Sequence, residues 1–125
     1  MASLRVLSER ESPWLLTQRL EVAQSWWARF RGLMLQRELP AGTGLLIEPC
    51  ASIHMMFMRF SIDAVFYDRE HRVTKVARRV HPWVGLSVGG RGAYGVVELP
   101  AGAAQGIEPG MHLEIIEDDA SVRAA

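Results

Sequence analysis

Apolar and polar side chains alternate along several short segments of the chain, a pattern typical of β-strands that bury one face. The clearest alternation covers residues 14–22, where Thr17, Arg19 and Glu21 separate the apolar positions. The other segments that predict strands are 45–47, 62–67, 72–80, 94–99 and 111–115. The polar turn at 68–71 separates two of these segments, so the pattern predicts a β-hairpin over residues 62–80.

One segment has helical periodicity instead. Trp26, Phe30 and Leu33 recur at helical spacing after Ser25, which can cap the first turn of a helix. The Gly-rich run at 85–95 predicts a mobile loop.

These patterns together predict a compact, single-domain, β-rich α+β fold. We expect a β-sandwich or partly open barrel of about six or seven short strands with one main helix. Residues 100–105 predict one further helical turn. The predicted core spans about 14–117, and residues 1–11 and 118–125 are predicted to be frayed.

Composition and charge restrict the class of protein. The 125 residues are 49% hydrophobic and 22% charged, which is typical of one globular domain. Fourteen basic residues balance fourteen acidic ones, so the chain lacks the overall positive field that drives nonspecific nucleic-acid binding. The basic residues concentrate in 69–91 and acidic residues in 92–125, although neighbouring segments of opposite charge are typical of an ordinary solvated surface. We therefore expect no nucleic-acid partner.

The chain also lacks membrane and export patterns. Its longest apolar stretch, 53–60, is far shorter than the ~20 residues that a membrane helix needs, and residues 1–11 do not resemble a signal peptide. The single cysteine cannot form an intrachain disulfide and is compatible with a reducing compartment. We expect a cytoplasmic monomer with no membrane partner.

Cys50 and His54 are the first candidates for chemistry. Their spacing of four places two side chains on the same side of a helix or a strand. A hydrolase or transferase could use the Cys50 thiolate as a nucleophile, with His54 as its base and Asp63 or Glu98 orienting the imidazole. The alternative is a buried, inert cysteine, because no protease signature surrounds it.

A second interpretation is a soft-metal site. In an extended segment His54, Met56 and Met58 lie on one face, and imidazole and thioether ligands suit Cu(I). Methionine also fills gaps in apolar cores, and no second His or Cys stands at ligand spacing. We therefore assign no metal, cofactor or catalytic residue from the sequence.

The interpretation that requires least is a non-catalytic binding or accessory module for an unknown small polar or anionic ligand. Binding pockets usually combine a few polar groups with an apolar lining. The residues predicted to form such a pocket are Arg29, Cys50, His54, Met58, Asp63 and Glu98. Glu98 has apolar neighbours along the chain and needs a partner, for which Arg29 is our prediction. Asp63 could instead satisfy backbone donors or pair with Arg29 or Arg59.

Three spaced motifs point to a known family. They are Arg-Phe-Arg-Gly-Leu-Met at 29–34, the segment 49–66 that begins Pro-Cys-Ala-Ser-Ile-His, and Val-Glu-Leu-Pro-Ala-Gly at 97–102 followed by Gly106 and Gly110. Over roughly residues 15–116 the chain resembles the uncharacterised prokaryotic family called domain of unknown function 192.

The resemblance implies a compact β-rich domain without an established activity. It also implies that Arg29, His54, Asp63 and Glu98 are the characteristic polar positions. Many members have Trp-Met-Lys-Asn-Thr where this chain has Phe-Met-Arg-Phe-Ser at 57–61, so their asparagine is replaced by Phe60. Many members are also exported.

Overall fold

The structure is a computed structural model that describes residues 2–9, 12–23, 38–55 and 57–116. Its strands are β1 (Ala2–Leu7), β2 (Trp14–Ala23), β3 (Thr43–Ile47), β4 (Ser52–His54), β5 (Ile62–Tyr67), β6 (Val73–Val80), β7 (Leu86–Val88), β8 (Gly95–Pro100) and β9 (His112–Ile116). Seven of them form one sheet in the order β6-β5-β8-β3-β2-β1-β9, and β4 pairs with β7 in a separate two-stranded sheet. The pair β2 and β3 is parallel, and the other neighbouring pairs are antiparallel.

The two edge strands of the large sheet meet at one corner. Arg72, just before β6, forms a bridge with His112 of β9. The Val73 N–H donates a hydrogen bond to the Met111 carbonyl at 2.7 Å, and the Leu113 N–H donates to the His71 carbonyl at 2.9 Å. The large sheet therefore curves far enough for its two edges to touch at this corner.

Each face of the large sheet carries an apolar cluster. Along β5, Val65 and Tyr67 belong to the first cluster, whereas Ala64 and Phe66 belong to the second. The first cluster also contains Leu4, Val6, Leu20, Leu46, Val97, Leu99 and Ile107, and the second contains Leu45, Ile47, Ile53, Met55, Met58 and Val96. Because both faces are covered, all six residues of β5 are buried. The second cluster includes Ile53 of β4, so the two-stranded sheet lies over that face.

The close approach of β8 to Tyr67 requires glycine at position 95. A Cβ atom built on Gly95 would lie 2.4 Å from both Cζ and the hydroxyl oxygen of Tyr67. The ring cannot retreat easily, since it is 1% exposed and its hydroxyl donates a hydrogen bond to Glu48 Oε2 at 2.7 Å. Burial, followed by the hydrogen bond to Glu48, raises the pKa of the Tyr67 hydroxyl far above its usual range, so the phenol stays a donor.

We expect Gly95→Ala to lower the free energy of unfolding by about 2–3 kcal/mol, because overpacking a buried ring forces a side chain or backbone shift. Urea denaturation measures the loss. Gly90→Ala is the control: its Cβ would meet nothing within 4 Å, and only the φ of 87° opposes a side chain there. The free energy of unfolding of Gly90→Ala should fall by about 1 kcal/mol. Equal losses in the two variants would contradict the overpacking.

The β-rich prediction is confirmed, and the predicted strands at 14–22, 45–47 and 94–99 and the hairpin at 62–80 are present. The predicted helix, with Arg29 on it, lies outside the described residues, as does 118–125. The described ranges contain no helix, and therefore none long and apolar enough to cross a membrane. Residues 101–106 form a series of turns instead of the predicted helical turn.

The predicted count of six or seven strands is too low, and β1 is one reason. Residues 1–11 are predicted to be frayed, but Ala2–Leu7 pairs with β2 on one side and β9 on the other. The local signal is a period-two alternation in which Ala2, Leu4 and Val6 are buried. Arg5 is compatible with the sheet because it forms an ion pair with Glu114 on β9.

The other missed strands are β4 and β7, and β7 lies inside the predicted Gly-rich loop. In β7 the polarity is inverted, since Ser87 is buried while Leu86 and Val88 are 71% and 57% exposed. Strand prediction assumes that the apolar positions face inward, and this segment does the opposite. Pairing with β4 is therefore the property that defines β7, and pairing is not a local signal.

Candidate functional site

Glu98 is a buried carboxylate in the centre of the large sheet. Strand β8 runs between β5 and β3, and Glu98 lies opposite Ala64 on one side and Leu45 on the other. Both neighbours belong to the second cluster, so Glu98 faces that cluster. The residue is 6% exposed. Burial raises the pKa of Glu98 to about 7.

The Cys50 thiol lies near this carboxylate. Its backbone N–H donates to the Tyr94 carbonyl at 2.7 Å, which ties residue 50 to the start of β8, and the side chain packs against the second cluster. Burial raises the pKa of the thiol; a backbone hydrogen bond at Ser52 partly offsets this, and the charge of Glu98 raises the pKa further. The thiol therefore remains protonated at neutral pH, which opposes a thiolate nucleophile.

His54 does not lie on the same side as Cys50. The Cys50 Sγ donates to the Ser52 carbonyl at 3.0 Å. His54 lies opposite Leu86 on the outer face of the two-stranded sheet and is exposed, whereas Ile53 between them in sequence points inward. The interval of four does not align the two side chains, because Cys50 precedes β4 and the segment is not one continuous element. In the described part of the chain the Cys50 thiol thus bonds to the Ser52 carbonyl and not to His54.

Met58 lies inside the second cluster with 3% exposure, next to the fully buried Met55. His54 is on the opposite, outer side of β4, so these imidazole and thioether groups do not converge. Met56 is outside the described residues. Within the described ranges, no group of three or more His, Cys, Asp or Glu side chains could hold a metal ion. Packing accounts for Met58.

Asp63 is fully buried on the other face of the sheet. Its neighbours of the same parity on β5, Val65 and Tyr67, belong to the first cluster. Asp63 Oδ1 accepts a hydrogen bond from the Arg79 N–H at 2.9 Å. Asp63 Oδ2 accepts from the N–H groups of Gly102 at 3.0 Å and Ala104 at 2.9 Å. The carboxylate therefore joins β5 to the irregular end of β6 and to the turns that follow β8.

The structure thus divides the predicted site residues. Cys50, Met58 and Glu98 share the second cluster, and we call this group the Glu98 site. His54 lies on the outer face of β4, and Asp63 lies on the opposite face of the large sheet. Arg29, the predicted partner of Glu98, is outside the described residues.

Two surface features are absent from the sequence prediction. The first is a groove of about 510 Å³ at the corner where the sheet edges meet, lined by Leu7, Ser8, Glu9, Arg72, Glu108, Pro109, Gly110, Met111 and His112. No single motif marks it, because the lining comes from three distant segments. The second is a set of five exposed apolar side chains at positions 57, 83, 84, 86 and 88, of which only the last two lie in the Gly-rich run.

The fold and the Glu98 site define a small β-rich domain with a buried carboxylate beside a protonated thiol. The family model described as DUF192, Uncharacterized ACR, matches residues 7–115. The chain belongs to this family, as the sequence motifs predict. No activity comes with that membership.

Similar proteins agree with the fold. A UPF0127 protein from Thermococcus sibiricus is 38% identical over 94 residues, which is 69% of this chain but only 57% of that protein's length. A crystal structure of a protein of unknown function from Novosphingobium aromaticivorans has a TM-score of 0.78 at 23% identity, covering 90% of this chain and 83% of that one. A putative transcription regulator from Sinorhizobium meliloti has a TM-score of 0.78 at 22% identity, covering 91% and 93%. At these identities the two structures show the fold alone.

Proposed function

We propose that the protein is a non-catalytic binding or accessory module that holds a small polar ligand at the Glu98 site. The observation that carries the proposal is a carboxylate that is 6% exposed, faces an apolar cluster and has its pKa raised by burial to about 7. Burying a carboxylate in apolar surroundings is costly, and a strongly raised pKa is typical of functional sites. A ligand that donates a hydrogen bond to Glu98 would remove that cost.

The chemistry of the site favours a ligand with a donor or cationic group. A guanidinium or ammonium group would stabilise the ionised carboxylate, and the apolar side chains around it would contact the remainder of the molecule. An anionic ligand, the other class that the sequence leaves open, would meet repulsion from ionised Glu98. The raised pKa of the Cys50 thiol and the outward position of His54 favour binding over nucleophilic catalysis.

The test is a thermal-shift measurement with methylguanidinium and ethylammonium as cationic probes and acetate as the anionic probe. At about ten times its Kd, a cationic probe should raise the Tm by about 4 °C. Glu98→Gln should abolish the shift. Glu21→Gln, the same substitution at an exposed position of β2, should keep it. A shift with acetate alone, or the same shift in Glu98→Gln, would contradict the proposal.

A second measurement separates the ligand from an internal ion pair with Arg29. If Arg29 neutralises Glu98, Glu98→Gln without any probe should lose about 3–5 kcal/mol of unfolding free energy, because it leaves a buried charge unpaired. Arg29→Gln should then lose a similar amount. The binding proposal predicts instead that unliganded Glu98→Gln is at least as stable as the wild type at pH 8. A matched loss in both variants would overturn it.

A further inference from the structure

Five large apolar side chains form an exposed patch on and beside the two-stranded sheet. They are Phe57, Trp83, Val84, Leu86 and Val88, with exposed fractions of 45%, 53%, 83%, 71% and 57%. We call them the apolar patch. The rings of Phe57 and Trp83 are in edge-to-face contact, with centroids 5.6 Å apart and planes at 68°. Single exposed apolar residues are ordinary, but a contiguous group marks an interaction surface.

The strand pairing explains why these side chains share one face. Leu86 lies opposite His54 and Val88 opposite Ser52, and all four residues are exposed. The alternate positions, Ile53 and Ser87, are buried beneath them. The outer face of the two-stranded sheet therefore continues into the turn that carries Trp83 and Val84.

Backbone hydrogen bonds hold this turn in place. The Trp83 N–H donates to the Met55 carbonyl at 2.7 Å, and the Met55 N–H donates to the Gly85 carbonyl at 2.9 Å. A Cβ atom on Gly85 would lie 2.5 Å from the His81 carbonyl oxygen, so the turn packs too closely for a side chain there. Trp83 and Phe57 both have positive φ, 70° and 66°. The backbone that carries the apolar side chains is therefore fixed by hydrogen bonds and close packing.

The charges in the segments that carry the patch all have one sign. Residues 51–61 and 80–94 contain Arg59 and Arg91 together with His54 and His81, and neither segment contains an Asp or Glu. A second copy of this chain docked patch to patch would bring like charges together. The patch is also prominent rather than recessed, since Val84 is 83% exposed. An anionic, deformable apolar surface complements both properties.

We propose that the apolar patch docks on the surface of an anionic lipid membrane. Trp83 and Phe57 enter the interfacial region, where amphipathic aromatic rings are favoured, and the arginines contact the lipid headgroups. This departs from the sequence-based expectation of no membrane partner. That expectation rests on the absence of a spanning segment and of a signal-peptide pattern, and neither property describes a local surface patch.

The test is co-sedimentation of the full chain with vesicles of phosphatidylcholine, alone or with roughly one third phosphatidylglycerol. We expect roughly tenfold tighter binding to the mixed vesicles, weakened by salt because the Debye length shortens. Trp83→Ser and Leu86→Ser should each weaken binding severalfold. Leu15→Ser, at a 49% exposed apolar position on β2 outside the patch, should bind as the wild type does.

Three outcomes would overturn the proposal. One is no sedimentation with either vesicle, which would leave an acidic protein face as the occupant. Another is equal binding by wild type and both patch variants. The third is a concentration-dependent dimer in analytical ultracentrifugation that Trp83→Ser abolishes, which would make a second copy the occupant. Circular dichroism checks that the variants fold. Because two patch variants are measured, the test remains valid if one of them does not fold.

Discussion

Replacing Asp63 with Ala is expected to lower the free energy of unfolding by about 3–5 kcal/mol. The Asp63 carboxylate is fully buried and accepts hydrogen bonds from the backbone N–H groups of Arg79, Gly102 and Ala104. Alanine would leave three donors without their acceptor, and it would disconnect β5 from the turns that follow β8. Denaturation with urea, monitored by circular dichroism, gives the loss.

Asp68→Ala is the matched control for this prediction. Asp68 Oδ1 also accepts backbone hydrogen bonds, from Glu70 and Arg72 at 2.9 Å, but at an exposed turn where water can replace the carboxylate. Asp68→Ala should lower the free energy of unfolding by about 1 kcal/mol. The free energy of unfolding of Asp63→Asn should be close to that of Asp63→Ala, because an amide NH₂ would replace one acceptor oxygen. Losses of equal size at 63 and 68 would show that the buried network does not stabilise the fold.

The second large effect is a pH dependence of stability that originates at Glu98. Burial raises its pKa from 4.5 to about 7 in the folded protein. As the pH rises, the unfolded chain therefore releases this proton before the folded chain does. The stabilising contribution of Glu98 to the free energy of unfolding is fully present below about pH 4.5 and is lost as the pH rises through about 7. At 1.36 kcal/mol per pKa unit the loss is about 3 kcal/mol.

Glu98→Gln should remove this pH dependence, since glutamine cannot ionise. The free energy of unfolding of wild type minus that of the variant should fall by about 3 kcal/mol between pH 4.5 and 8. Glu21→Gln, at an exposed position, should show no comparable trend in its difference from wild type. If the Glu98→Gln difference is flat with pH, the carboxylate has a cationic partner inside the fold, and the unoccupied acceptor that the binding proposal requires does not exist.

Strand prediction succeeded where a strand has one consistently apolar face or lies between two apolar layers. Residues 14–22 alternate, and 62–67 is rich in β-branched and aromatic residues, so both are evident without the fold. It failed at β7, because Ser87 is buried and its apolar neighbours are exposed. The same inversion creates the apolar patch. The failed prediction and the proposed membrane surface thus have one cause.

The sequence placed Asp63 and Glu98 in one predicted pocket, whereas the fold separates their side chains. Asp63 and Glu98 lie on adjacent strands, and the pairing of Ala64 with Glu98 and of Asp63 with Leu99 places the two carboxylates on opposite faces. A shift of one residue would have placed them on the same face, because side chains alternate with a period of two. Cys50 and His54 were separated for a related reason, since the chain changes direction between them.

By itself the sequence determined that this is a β-rich domain of one known family and that Asp63 and Glu98 need special surroundings. The fold class and the two acids follow from local alternation and apolar flanking residues, and the family follows from three spaced motifs; all of these are properties of the order of residues along the chain. Only the tertiary structure decided that Asp63 binds three backbone donors while Glu98 faces the second cluster beside Cys50. The physical reason is that strand register sets the face of every side chain, and long-range pairing sets the register.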